Sequence, residues 1–150
     1  MGAISDRARR LNAAVNAHDL NPIGDFYADD AEFIWPGLPA LRGRQAVVAF
    51  YAELLGAFPD VKVTIKRIVE QGDTVAVEYE SKGINGGPLP LPGGQRLPAT
   101  NRELTVQAVS IGQVDGAGRI QAQREYFDQL AVLQQLGLVP AEQSATGAEA

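Results

Sequence analysis

The sequence predicts an α+β fold, a cone formed by a curved antiparallel sheet with helices packed on its concave face. Three observations support this prediction. Apolar residues recur at helical spacing within the first 58 residues, and they alternate with polar residues in the stretches 61–80 and 104–127. A last short helical stretch follows the second set of strands, and glycine or proline separates the elements.

The first 27 residues predict two helices. Ser5 is a favourable N-cap, and apolar residues recur at helical spacing from there to Ala17. Pro22 suits the first position of a second short helix, which we expect to run through Tyr27. Both helices are expected to form part of the wall of the cone.

A strand rich in aromatic residues and a third helix follow. The stretch 31–35 predicts a strand that a proline ends, and 45–58 predicts a helix that Pro59 ends. The apolar stripe of this helix consists of Val47, Phe50, Tyr51, Leu54 and Phe58. Its aromatic members Phe50, Tyr51 and Phe58, with Phe33 and Trp35 from the strand, predict an aromatic group that serves as core and as pocket wall.

Two antiparallel hairpins are predicted in the second half of the chain. In the first, Val75, Val77 and Tyr79 share one face, and Glu78 and Glu80 share the other. This alternation indicates a half-buried sheet with its carboxylates in solvent. The second hairpin joins the strands 104–114 and 120–127.

The loop 83–100 holds four prolines and five glycines, with Leu89 among them. We expect no strand ladder there. A lid over a ligand and a mobile surface loop are both compatible with such a sequence.

The stretch 118–137 is expected to close the cone. Its strand ends beside Arg124 and Glu125, Asp128 favours the N-cap of a short helix, and Gly137 favours its end. A strand that ends in a charged pair under a covering helix predicts a cup with polar chemistry at its floor.

Composition argues against several classes of function. The net charge of −5 and the lack of a clear Lys/Arg cluster disfavour nucleic acid or a membrane as partner. The absence of cysteine excludes disulfides and thiolate chemistry, and a single His disfavours a metal site. With no membrane-spanning run and no visible export signal, we expect a cytoplasmic protein. We expect one domain over 1–140 and a disordered tail over 141–150.

The order of these elements resembles the nuclear-transport-factor-2-like cone, and two stretches resemble its SnoaL-like polyketide cyclase branch. GINGGPLPLPGG is similar to the Gly-rich flap of that branch, and GRIQAQREYFDQLAVLQQLG to its terminal strand and helix. The resemblance covers roughly residues 5–140. It implies a homodimeric small-molecule enzyme that needs no metal or organic cofactor.

Other members of the superfamily imply different site residues. Ketosteroid isomerases place catalytic groups where this chain has Trp35, Leu11 and Ser110, so steroid isomerase chemistry is not expected. Limonene-type epoxide hydrolases end their last strand in a motif similar to QREYFD, which places their catalytic acid at Glu125. SnoaL-like cyclases also imply an acid at this position, and they often have His where Asn85 stands.

The resemblance favours proton abstraction next to a carbonyl of a hydrophobic polyketide-like substrate, followed by ring closure or isomerisation. Glu125 would be the base and later the acid. Tyr51, Tyr126 or Asn85 would stabilise the developing oxyanion. The expected substrate-binding wall consists of Trp35, Phe33, Phe50, Leu54, Phe58, Tyr79, Leu89 and Tyr126.

Several alternatives remain open at this point. In the first alternative, Glu125 has no catalytic role and is an exposed strand carboxylate paired with Arg124 or Arg102. Epoxide hydrolysis would use Glu125 with a second carboxylate such as Glu78 or Glu80. A non-catalytic module would use the same cone to hold a lipophilic ligand or to dimerise.

Overall fold

A curved six-stranded sheet is the framework of the computed structural model, which describes residues 2–91 and 94–140. The helices are α1 (Ala3–Asn16), α2 (Leu20–Asp25), α3 (Arg44–Ala57) and α4 (Gln129–Gln135). The strands are β1 (Tyr27–Ile34), β2 (Leu41–Arg42), β3 (Lys62–Gln71), β4 (Thr74–Ile84), β5 (Leu89–Pro90), β6 (Arg96–Leu97), β7 (Glu103–Val114) and β8 (Ile120–Phe127). The tail 141–150, for which we predict disorder, lies outside the described residues.

The strand order in the large sheet is β2-β1-β8-β7-β4-β3, which confirms the α+β cone. One correction concerns direction, because β1 runs parallel to β8 while all other neighbours in the sheet are antiparallel. A parallel pair needs a long connection between its strands. Here the chain from β1 passes through α3 and three longer strands before it returns as β8.

Helix α1 packs against β3 at the edge of the sheet. The side chain of Asn16 both accepts from Val63 N at 2.7 Å and donates to Val63 O at 2.9 Å. The prediction of Ser5 as N-cap is wrong, since α1 begins at Ala3. Ser5 instead donates its hydroxyl proton to the carboxylate of Glu70 at 2.8 Å. The hydroxyl group that would have capped the helix therefore makes a long-range hydrogen bond to β3.

The aromatic group expected between β1 and α3 is present. Phe33 stacks on Trp35 with ring centroids 6.0 Å apart, and Trp35 meets Phe50 edge-on at 5.1 Å. Phe33 is fully buried, and Phe50 nearly so. Burial of rings of this size contributes a large share of the apolar area that holds α3 on the sheet.

Strand β1 begins four residues earlier than the sequence predicts. We expected Tyr27 at the end of a helix, but α2 ends at Asp25 and Tyr27 pairs with Ile120 of β8. Arg44 adds a hydrogen bond from Nε to the carbonyl oxygen of Tyr27 at 3.0 Å. Long-range pairing therefore overrides the local helical pattern, and it turns the ring of Tyr27 into the interior.

The loop 83–100 contains a two-stranded ladder, which the sequence did not predict. Leu89 pairs with Leu97 and Pro90 with Arg96. Asn85, which is fully buried, ties the base of this loop together. Its amide nitrogen donates to the carbonyl oxygens of Ala57 at 3.0 Å and Gly87 at 2.9 Å, and its amide oxygen accepts from Thr100. The prolines of the loop therefore do not prevent a ladder.

The closing helix α4 follows the prediction. Asp128 caps it by accepting a hydrogen bond from Ala131 N at 3.0 Å, and Gly137 after its end has a φ of +73°. Leu136 is buried against Phe58 and Leu104, which fixes α4 over the end of the sheet.

Candidate active site

The helices and the concave face of the sheet line a cavity of about 270 Å³, near the lower end of the range for small-molecule sites. Helix α1 contributes Leu11 and Val15, and α3 contributes Tyr51 and Leu54. The inward residues of the sheet are largely apolar, and they include Val75, Val77, Val106 and Phe127. The cavity therefore suits a hydrophobic ligand.

Glu125 lies in the wall of this cavity and is only 6% exposed. Strand alternation explains its direction, because Gln123, Glu125 and Phe127 face inward while Arg124 and Tyr126 face out. The alternative of an exposed carboxylate paired with Arg124 is therefore wrong.

Three side chains hydrogen-bond Glu125. Tyr79 donates its hydroxyl to Oε1 at 2.5 Å, and Gln123 donates from Nε2 to Oε2 at 3.0 Å. Ser110, directly opposite on β7, is the third. Burial raises the pKa of Glu125, and the three hydrogen bonds offset only part of this effect. The carboxylate is therefore a stronger base than an ordinary glutamate.

A chain of hydrogen bonds connects Glu125 to Tyr51 on α3. Tyr27 donates its hydroxyl to Gln123 Oε1 at 2.6 Å, and its oxygen lies 2.7 Å from the hydroxyl of Tyr51. Burial raises the pKa of Tyr27 and of Tyr51, so both phenols keep their protons at neutral pH. Tyr51 lines the cavity, whereas Tyr27 stands behind it, fully buried.

Sequence reasoning missed two members of this network as site residues. Gln123 shares a strand face with Glu125 two residues away, so alternation alone could have identified it. Tyr27 could not be found in this way because its local sequence favours a helix. Ser110 was noted only as a position where ketosteroid isomerases carry an acid.

Most of the predicted substrate-binding wall lines the cavity, namely Trp35, Leu54, Phe58, Tyr79 and Leu89. Phe33 and Phe50 lie behind Trp35 in the core. Tyr126 is on the outer face of the sheet with 53% of its surface exposed, because its neighbour Glu125 takes the inward direction. It is therefore not part of the wall.

Asn85 does not line the cavity, although we expected it to contact the substrate. Both amide atoms are used within the loop. The same loop does reach the cavity through Leu89.

Glu125 is the sole carboxylate of the cavity wall within residues 2–91 and 94–140. Glu78 is exposed near Arg67 at 3.8 Å, and Glu80 accepts a hydrogen bond from Gln107 at 2.6 Å. Both carboxylates lie on the outer face, as the alternation in β4 predicts. In the described part of the chain no three His, Cys, Asp or Glu side chains are grouped to hold a metal ion.

A sequence profile of the SnoaL-like domain family matches residues 8–123, about three quarters of the chain. The chain belongs to the SnoaL-like domain family. This confirms the resemblance inferred from the flap and the terminal strand. No curated protein sequence matches this SnoaL-like protein.

Solved structures similar to this SnoaL-like protein share its fold. IdmH of Streptomyces antibioticus, a proposed polyketide cyclase, is 26% identical, with 91% of this chain and 99% of that chain covered and a TM-score of 0.73. AclR of Streptomyces galilaeus, a proposed hydroxylase, is 19% identical, with 95% of this chain and 86% of that chain covered and a TM-score of 0.78.

SalBIII, described as an epoxide hydrolase/cyclase-like enzyme in pyran ring formation of salinomycin, is 17% identical. The alignment covers 85% of this chain and 92% of that chain, with a TM-score of 0.71. At these identities AclR and SalBIII show a shared fold. Among the described helices, none has the length and apolar character needed to cross a bilayer.

Proposed function

We propose that this SnoaL-like protein is an enzyme that performs acid–base chemistry on a hydrophobic polyketide-like substrate, without a cofactor. One observation carries the proposal: within the described residues a single carboxyl group, Glu125, is buried in an apolar cavity among neutral hydrogen-bond donors. Burying a charge without a cationic partner is costly. Such an arrangement is typical of a group that must exchange a proton.

The proposed reaction needs only Glu125 to move a proton. Its carboxylate takes a proton from a carbon next to a carbonyl, and the C–H electron pair becomes an enolate. The enolate carbon attacks a second carbonyl of the same molecule, which closes a ring and leaves an alkoxide. The protonated Glu125 then returns its proton to that alkoxide, so the carboxylate is restored and no co-reactant is consumed.

Tyr51 is the remaining phenol of the wall that could contact the reacting oxygen, because Tyr79 is committed to Glu125. In the enolate the negative charge develops on oxygen, where a phenol donor is stabilising once Tyr51 has given up its hydrogen bond to Tyr27. The apolar side chains around the cavity would exclude water and favour the folded-up substrate conformation.

Two alternatives receive less support. Epoxide hydrolysis with a second carboxylate is disfavoured because Glu78 and Glu80 face away from the cavity. A passive lipophilic binding site is disfavoured because an apolar side chain at position 125 would serve it better than a buried carboxylate.

The test is a panel of hydrophobic β-keto esters and anthraquinone-precursor polyketones, assayed with wild-type protein and Glu125→Gln. We expect ring closure or isomerisation of at least one compound by wild-type protein, and little by the variant. Full activity of Glu125→Gln would refute the role of Glu125. Tight binding of these compounds without turnover by either protein would favour the passive site.

A further inference from the structure

The hydrogen bonds between Glu125 and Tyr51 have only one possible direction when Glu125 is ionised. A carboxylate only accepts, so Gln123 must turn its Nε2 toward Glu125, as the 3.0 Å contact requires. This turns Oε1 of Gln123 toward Tyr27, and an amide oxygen also only accepts. Tyr27 therefore gives its single hydroxyl proton to Gln123 at 2.6 Å.

The direction of the next bond follows from this. The hydroxyl oxygens of Tyr27 and Tyr51 are 2.7 Å apart, and one of the two must donate. Because Tyr27 has no second proton, Tyr51 is the donor. The proton of Tyr51 is thus directed into the protein interior, and the oxygen of this cavity-lining residue retains free capacity only to accept.

Two further hydroxyl groups near Glu125 also make hydrogen bonds within the protein. Tyr79 gives its proton to Glu125, and Ser110 is hydrogen-bonded to the same carboxyl. Between Glu125 and Tyr51 the cavity therefore presents acceptors, the remaining lone pairs of these two side chains, whereas Arg7, Asn12 and Ser81 line other parts of the wall. A ligand that binds between Glu125 and Tyr51 must bring its own donor.

We propose that Tyr27 holds Tyr51 as a hydrogen-bond acceptor, so that the cavity selects substrates that present a hydroxyl group, a phenol or an enol, to Tyr51. Tyr27 is a positioning residue, since it does not line the cavity and acts only through Tyr51. A ligand that offers only a carbonyl oxygen can be bound by Tyr51 only after Tyr51 gives up its bond to Tyr27. Loss of one such hydrogen bond corresponds to roughly two- to tenfold in affinity.

This inference rests on the proposed function only in taking the cavity as the substrate site, and its test measures binding instead of turnover. The probes are 1-naphthol, 1-methoxynaphthalene, which lacks the donor, and 1-acetonaphthone, which offers a carbonyl. Affinities are measured by isothermal titration calorimetry at a series of pH values from neutral upward, because ionised Glu125 fixes the bond directions and burial raises its pKa.

Wild-type protein is expected to bind 1-naphthol roughly two- to tenfold more tightly than the other two probes. Tyr51→Phe should abolish this preference. Tyr27→Phe should free the proton of Tyr51, so that 1-acetonaphthone gains affinity while 1-naphthol does not. Tyr126→Phe, on the outer face of the sheet, is the matched control and should behave as wild type.

Equal affinity of wild-type protein for 1-naphthol and 1-methoxynaphthalene would overturn the inference, as would a preference that survives in Tyr51→Phe. Failure of all three probes to bind would overturn it as well. If Tyr27→Phe does not fold, Tyr51→Phe still decides the question, because Tyr51 is at the wall and Tyr27 in the core. Full turnover by Glu125→Gln together with the expected affinities would refute the proposed function and leave this inference standing.

Discussion

The hydroxyl of Tyr79 donates a 2.5 Å hydrogen bond to Oε1 of Glu125, although 46 residues separate the two in sequence. Tyr79 is on β4 and Glu125 on β8, and β7 lies between them. The bond therefore crosses a whole strand on the concave face of the sheet. It stabilises the ionised carboxyl, whereas burial destabilises it, and the raised pKa of Glu125 means that burial has the larger effect.

Removing the hydroxyl of Tyr79 should therefore raise the pKa of Glu125 further. A hydrogen bond to a charged group contributes about 1.5–3 kcal/mol, so Tyr79→Phe should shift that pKa upward by about one to two units. The measurement is the pH profile of kcat/KM, whose rising limb should move to higher pH. Tyr126→Phe is the control, and an unchanged profile in Tyr79→Phe would contradict the assignment of this limb to Glu125.

Replacing the carboxyl of Glu125 by an amide should abolish most of the turnover. A positioned acid or base typically contributes about 10²–10⁴-fold, so Glu125→Gln should lose activity on this scale while it retains the fold. Asp128→Asn is the matched control, since Asn caps α4 about as well as Asp. Equal losses in both variants would indicate a general structural effect.

Glu125 should also make the protein less stable as the pH rises. Its pKa is raised above the ordinary value of 4.5 in the folded state, so the folded protein holds this proton more tightly than the unfolded chain. The resulting stabilisation is fully present below that value and is lost as the pH rises through the folded pKa. Urea unfolding across this range should show Glu125→Gln gaining stability relative to wild type with increasing pH. Parallel curves for the two proteins would be inconsistent with a raised pKa.

Asn85 should be essential for stability and not for proton transfer. Asn85→Ala leaves the carbonyl oxygens of Ala57 and Gly87 and the amide of Thr100 without their partner, so we expect a loss of about 2–4 kcal/mol in unfolding free energy. Gln95→Ala, at an exposed position of the same loop, should change the unfolding free energy by less than about 0.5 kcal/mol. A variant of Asn85 with normal stability but no turnover would restore the oxyanion hypothesis for this residue.

Homodimerisation through the outer sheet face remains a prediction. On this face Val109 lies beside Tyr126, which is 53% exposed, so a partly apolar surface is available for a partner copy. Sedimentation at micromolar concentration should give about twice the chain mass of 16.0 kDa, and Tyr126→Lys should shift the protein toward monomer. A monomeric wild-type protein under these conditions would refute the prediction.

The sequence by itself was sufficient for features that depend on neighbouring residues. Alternation along β4 predicted Tyr79 inward and Glu78 outward, because successive side chains of a strand point to opposite faces. Asp128 and Gly137 predicted both ends of α4, since capping and positive φ are local requirements. The family resemblance then indicated Glu125 as the residue of interest.

Only the tertiary structure determined the surroundings of Glu125. Tyr79, Ser110 and Tyr27 belong to three other strands, and the strand register, which no local pattern encodes, brings them to Glu125 or to its neighbour Gln123. Pairing with β8 also turned Tyr27 from a predicted helix end into a strand residue. Asn85 was expected to contact substrate, but carbonyl groups of α3 and the loop bind its amide. An unpaired buried polar group is costly, so a polar side chain forms hydrogen bonds with whichever buried partner the fold places beside it. Because that partner is distant in sequence, local patterns do not identify it.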